Sequence, residues 1–246
     1  MLNHLIKELD ERFEISANRN TTDFSGTVAE ISLSKYSMAF GAYYLINKLG
    51  QVSSFDEMKG MIQSGFTGLY IPEMNSNLFK IPQEKQYGKT LGDHLIFTFL
   101  AYNNVWSDKY CGHINNKVIG LACFLHDIGK VHDVNNHAKI GADIVCKFSL
   151  RYMGYFKNKI DDCTDLYNIV LNHMRPLGYQ RGEKWSDSAV EKFIIDCGNK
   201  DVALSTVVLA MCDKFASTRN KSYLEPLEEL CTRIIHITDS AKKSES

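Results

Sequence analysis

Apolar and polar residues recur along most of this chain with the 3.6-residue period of amphipathic helices, and the pattern breaks in only a few places. Residues 2–15 put Leu2, Leu5, Ile6, Leu9 and Phe13 on one face of a predicted helix. The Thr-, Ser- and Gly-rich stretch 20–34 suits a short strand. A second helix is predicted over 35–49, ended by Gly50. Residues 65–89, GFTGLYIPEMNSNLFKIPQEKQYGK, contain Pro72 and Pro82 among several turn formers, and read as irregular backbone or a small hairpin. From Thr90 to about Asn220 helical patterns follow one another closely, and the polar tail SAKKSES is expected to be disordered. The expected fold class is mainly α. Its parts are a mostly helical N-terminal region of unassigned role (1–88) with room for a short strand or hairpin, a helical bundle (89–222), and a C-terminal helix and tail (223–246).

Composition narrows the function classes. The 28 basic and 29 acidic residues nearly cancel, so no global field marks a nucleic-acid or membrane-surface partner. The seven cysteines are odd in number and include no C-x-x-C pair, which argues for reduced thiols in a cytoplasmic setting. No stretch approaches the ~18 uninterrupted apolar residues of a membrane helix.

The informative residues are titratable groups that fall on apolar faces, where burial is costly unless something compensates it. His94 interrupts the apolar segment behind a Thr90 cap, and His126 with Asp127 closes the run VIGLACFL. His137 opens a helix whose Ala138, Gly141 and Phe148 share a face, and His173 continues the stripe of Leu166, Ile169 and Val170. Asp213 lies inside the most apolar helix, in line with Val202, Thr206 and Leu209. Singly, each could be a satisfied core residue or a helix cap. Jointly, one shared ligand accounts for all of them. Six nitrogen and oxygen donors suit two divalent metals with open positions. Four imidazoles favour Fe, Mn, Co or Ni, with Mg admitted beside them, and the lack of cysteine weighs against structural zinc. His4, His113, His132 and His236 lie in polar or terminal surroundings and stay outside the set.

The order His94, His126-Asp127, Asp213 resembles the H…HD…D pattern of the HD superfamily of metal-dependent phosphohydrolases, and His137 in HAKIGADIV with His173 in NHMRP resembles its binuclear members. The likeness covers about residues 90–220 and implies an HD-domain helical bundle. No G-Y-P motif follows His173, unlike the cyclic-di-GMP phosphodiesterase subgroup. The resemblance implies that Asp127 bridges two ions, with His94, His126 and Asp213 on one and His137 and His173 on the other, and that a metal-activated hydroxide attacks phosphorus. It also implies a small, nucleotide-like phosphorylated substrate, a dinucleotide or a short nucleic acid. Lys130 is placed beside the site by HDIGK and Arg175 by its distance of two residues from His173; both are candidate phosphate contacts, with a plain helix-end lysine as the alternative for Lys130. Gly129 is expected to let the chain turn without crowding the metals. Two other readings share the residues: a regulatory or binding module on an HD scaffold, and a diiron oxygenase. Oligomeric state is left open by the sequence.

Overall fold

The first helix whose bounds fall among the described residues is set by its cap. In the computed structural model, which describes residues 49, 52, 54–83, 89–110, 112–152, 160–218 and 220–244, Ser54 accepts a hydrogen bond from the Glu57 amide at 3.3 Å and starts α1 (Phe55–Gln63). Asp56 and Glu57 complement the positive end of its dipole, and Met58 and Ile62 turn inward. The helix expected over 2–15, the strand expected within 20–34, and all but the last residue of the helix expected over 35–49 lie outside the described residues. The described residues belong to one unit, Met38–Ser246.

The segment expected to be irregular or a hairpin is built from two 3₁₀ turns, Thr67–Leu69 and Ser76–Lys80. The Thr67 hydroxyl donates to the Met74 carbonyl at 2.6 Å and folds the segment on itself. A single antiparallel bridge between Pro82 and Thr90 then returns the chain, with the Leu91 amide donating to Ile81 at 2.8 Å. Thr90 caps α2 (Leu91–Ala101) through the Asp93 amide, as the sequence predicts. A Cβ at Gly92 would sit 2.7 Å from the Phe79 ring, so the 3₁₀ segment lies directly on α2.

The core forms around α2 and α8 (Lys200–Thr218), which pack together; every residue from Val202 to Cys212 is buried. Around them stand α3 (Asn116–Leu125), α4 (His137–Tyr152), α5 (Ile160–Asn172), α6 (Pro176–Gln180) and α7 (Asp187–Cys197). The pattern that predicts one long helix behind Thr90 does not hold to its end, because Tyr102–Trp106 forms a π-helical turn. Two large side chains anchor that turn: the Tyr102 hydroxyl donates to Asn116 Oδ1 at 2.8 Å, and Trp106 packs edge-on against Phe215. The last helix, α9 (Glu225–Ser244), crosses α6, α7 and α8. It continues through most of the tail expected to be disordered.

Among the described residues the elements are helical with no strand, so the mainly α expectation holds. No helix among them is long and apolar enough to cross a membrane.

Candidate metal centre

Each candidate ligand sits where a helix begins or ends, or on a buried helix face. His94 lies in the second turn of α2, His126 follows the last residue of α3, His137 is the first residue of α4, and His173 follows the last residue of α5. Asp127 heads the 3₁₀ turn Ile128–Val131 with φ −101° and ψ 6°, in the sparsely populated bridge region where many active-site residues are found. Asp213 comes from α8.

These elements bring all six together around the Asp127 carboxylate. Oδ2 lies 3.4 Å from both His94 Nε2 and His126 Nε2. Oδ1 lies 3.2 Å from His137 Nε2 and 3.5 Å from His173 Nε2. Asp213 Oδ1 joins the first pair, 3.2 Å from His94 Nε2 and 4.0 Å from His126 Nε2. Each carboxylate oxygen of Asp127 therefore serves its own pair of imidazoles.

The donor chemistry tests whether cations fit. His126 Nδ1 lies 3.2 Å from the Cys123 carbonyl, His137 Nδ1 2.6 Å from Val134 and His173 Nδ1 2.7 Å from Val170. A carbonyl only accepts, so each Nδ1 carries a proton, and in the neutral form each ring turns a lone pair outward at Nε2. Facing Nε2 atoms stand 3.2 Å apart for His94 and His126 and 3.3 Å for His137 and His173. Two nitrogens each about 2.1 Å from a shared ion are separated by roughly 3.0–3.4 Å. Converging lone pairs beside a carboxylate in a dry site call for a cation between them, so the residues fit two. His94 differs from the other three: its Nδ1 is buried with no hydrogen-bond partner among the described residues.

Without metal, protons and hydrogen bonds do the neutralising. Burial alone would raise the Asp127 pKa, but His126, His137 and His173 hold it well below the usual carboxylate range. Asp213, likewise opposed by burial, is held down to about 2, chiefly by His94. Burial lowers the pKa of His126, whereas His94 rises to about 9 because Asp127 and Asp213 outweigh its burial. His137 is raised by Asp127 in the same sense, against its burial.

Two glycines fix the spacing between the halves. A Cβ on Gly129 would fall inside the contact radius of the His137 carbonyl oxygen and 2.6 Å from the Gly141 amide, where real Cβ atoms stay beyond 3.0 Å. A Cβ on Gly141 would meet the His126 carbonyl at 3.3 Å. The Gly129 backbone therefore rests directly on that of α4, which the expectation of a simple turn had not included. His137 is brought to Asp127 by that contact.

Lys130 lies at the site as the sequence predicts, with Nζ 2.5 Å from Asp127 Oδ2. Arg175 is engaged elsewhere: its guanidinium pairs with Asp196 at 3.1 Å and stacks over the Phe193 ring, both on α7. Lys214 lies over the Tyr223 ring, and Arg219 is outside the described residues. The carbonyls of Cys123, Val134 and Val170, each three residues before its histidine, escape a reading of side chains. Asp196 escapes it too, although its i, i+3 spacing from Phe193 in EKFIIDC was available.

A model of the HD domain matches residues 94–217, just over half of the chain, starting on His94 and ending four residues after Asp213. No match among curated proteins accompanies it.

Proposed function

Because the chain belongs to the HD domain family, we propose that it is a phosphohydrolase acting through two divalent ions, and that it cleaves a phosphomonoester or phosphodiester in a nucleotide, dinucleotide or short nucleic acid. The observation that carries this reading is the division of Asp127, with one oxygen to each pair of Nε2 atoms. His94, His126, Asp127 and Asp213 would hold one ion, and Asp127, His137 and His173 the other. Fe, Mn, Co or Ni suits this donor set best, with Mg less well matched to four imidazoles. Bound there, such ions supply an acidified water as nucleophile and compensate charge on the phosphoryl oxygens.

The protein's own groups do the rest. The Nδ1 bonds to backbone carbonyls fix ring orientation and tautomer for three ligands, so little reorganisation remains when the site is loaded. Asp127 and Asp213 stay ionised far below neutral pH and provide the negative charge that retains cations. Access follows exposure: His94, His126 and His173 are at most 1 % exposed, whereas the side chains of Asp213 and Lys130 are each 16 % exposed. A substrate would approach on the Asp213 and Lys130 side. Lys130, beside Oδ2, is placed to exchange its carboxylate partner for a phosphoryl oxygen. The nucleotide part of the reading rests on family likeness, since no phosphate loop or base-reading motif occurs in the sequence.

The test is hydrolysis of bis(p-nitrophenyl) phosphate by protein reconstituted with Mn²⁺ and, separately, each other ion. This is followed by a panel of cyclic nucleotides, dinucleoside polyphosphates and short RNAs. Asp127→Ala is expected to abolish turnover, and full activity in that variant would refute the site. Lys130 favours phosphate chemistry over oxygen activation at the same ligands, and substrate-coupled oxygen uptake would reverse that preference.

A further inference from the structure

His173, the last histidine of the set, is held differently from its neighbours. His126 and His137 are drawn together by the backbone contact of Gly129 on α4. His173 lies in the turn between α5 and α6, one residue beyond the end of α5. The backbone hydrogen bonds of that turn are local, from Arg175 N to Asn172 O at 2.9 Å and from Leu177 N to Met174 O at 3.3 Å. The Arg175 side chain fastens the turn to α7. Its Nη2 pairs with Asp196 Oδ2 at 3.1 Å, its Nη1 donates to Asn172 Oδ1 at 3.4 Å, and the guanidinium lies 5.1 Å over the centre of the Phe193 ring.

The anchor on α7 is itself firm. Phe193 is fully buried and packs against Trp185, and Asp196, three residues on, faces the same side. Lys192 Nζ donates to both Asp196 oxygens at 3.1 Å, which holds the carboxylate in place for Arg175. A guanidinium paired, hydrogen-bonded and stacked in this way has both Nη atoms turned toward partners of its own chain.

We propose that Arg175 is a positioning residue for His173, acting through Asp196 and Phe193, and not a phosphate contact. The proposal rests on the reading of His173 as a metal ligand. The strap fixes the turn that carries the imidazole, so its loss loosens the His137 and His173 half and leaves the His94, His126 and Asp213 half unchanged. Because Arg175 and Asp196 are each about a third exposed, the effect is smaller than that of losing a ligand.

The test uses the full chain and its Arg175→Ala, Asp196→Ala and doubly substituted forms, titrated with Mn²⁺ by calorimetry and by electron paramagnetic resonance. Wild type is expected to take up two ions. Each single variant should bind one of them about three- to tenfold more weakly, with the other unchanged. The double variant should be no worse than the poorer single, because both changes break one link. Arg175→Lys should recover part of the loss. In metal-free protein, imidazole nitrogen NMR should show the His173 Nδ1–H signal broadened or shifted in both single variants, with the His126 signal in place. Unchanged Mn²⁺ affinity in Asp196→Ala, with Arg175→Ala weakening only inorganic phosphate, would overturn the positioning role and make Arg175 a phosphate contact. Wild type that binds no Mn²⁺ would instead bring down the metal-centre reading and this inference with it.

Discussion

Gly129→Ala perturbs the centre without replacing any proposed ligand. The added methyl would meet the His137 carbonyl oxygen and the Gly141 amide, both backbone atoms that no rotamer change can move aside. The start of α4 must retreat by roughly 1 Å, a displacement that typically costs about 10²-fold in rate. His137 Nε2, now 3.2 Å from Asp127 Oδ1, moves with it. Overpacking of this kind should also destabilise the fold by about 1–3 kcal/mol, or roughly 2–12 °C in Tm for a chain of this size. The assay is threefold: thermal melting, Mn²⁺ titration and hydrolysis of bis(p-nitrophenyl) phosphate. Gly60→Ala is the matched control, because a Cβ there meets nothing within 4 Å and a helical alanine should stabilise by up to about 1 kcal/mol. The reasoning fails if Gly129→Ala keeps wild-type melting and Mn²⁺ affinity.

Other outcomes follow from the same geometry. His94 is raised from 6.5 to about 9 in the metal-free site, so its stabilisation is complete below pH 6.5 and lost as pH rises through 9. Chelated protein should therefore lose roughly 2–3 kcal/mol across that window, with His137 adding in the same sense, whereas His126, whose pKa is lowered by burial, acts mainly below pH 6.5. Melting curves that stay flat from pH 6.5 to 9 after chelation would contradict this. Lys130→Ala removes a cation that competes for Asp127 Oδ2, so Mn²⁺ should bind more tightly while kcat falls; weaker Mn²⁺ binding would show that Lys130 supports the carboxylate. Asp127→Asn replaces one anionic oxygen by an amide that cannot bridge, and should cost at least about 10²-fold in turnover with fewer ions retained, read by metal analysis.

The cluster of candidate ligands was legible because each member violates the pattern around it. His173 occupies a place on the Leu166, Ile169 and Val170 stripe, and Asp213 interrupts the most apolar helix, so the periodicity that predicts the helices also marks the exceptions. The capping by Thr90 and the opening of α4 at His137 were readable for the same local reason. What was not readable depends on contacts distant in sequence or on the backbone. Arg175 gives no local sign that its partner lies 21 residues on, and Gly129 gives none that a helix backbone will lie against it. The π turn at Tyr102–Trp106 depends on Asn116 and Phe215, which no window around α2 contains. The segment 65–89 reads as irregular from composition, but its 3₁₀ turns depend on the Thr67 to Met74 hydrogen bond, a choice that composition does not make.

The sharing of Asp127 sets how this centre can fail. In the proposed two-ion centre, loss of His137 or His173 would remove donors from one half and leave the other with its imidazoles and Asp213, so such a variant is expected to keep a complete single-ion site. No change at residue 127 is confined in that way, because both pockets draw on the same side chain. An ion held in one half would fix the torsion of that carboxylate and so prepare its other oxygen. The two ions are therefore expected to load as a linked pair, with the second arriving at a carboxylate already aligned.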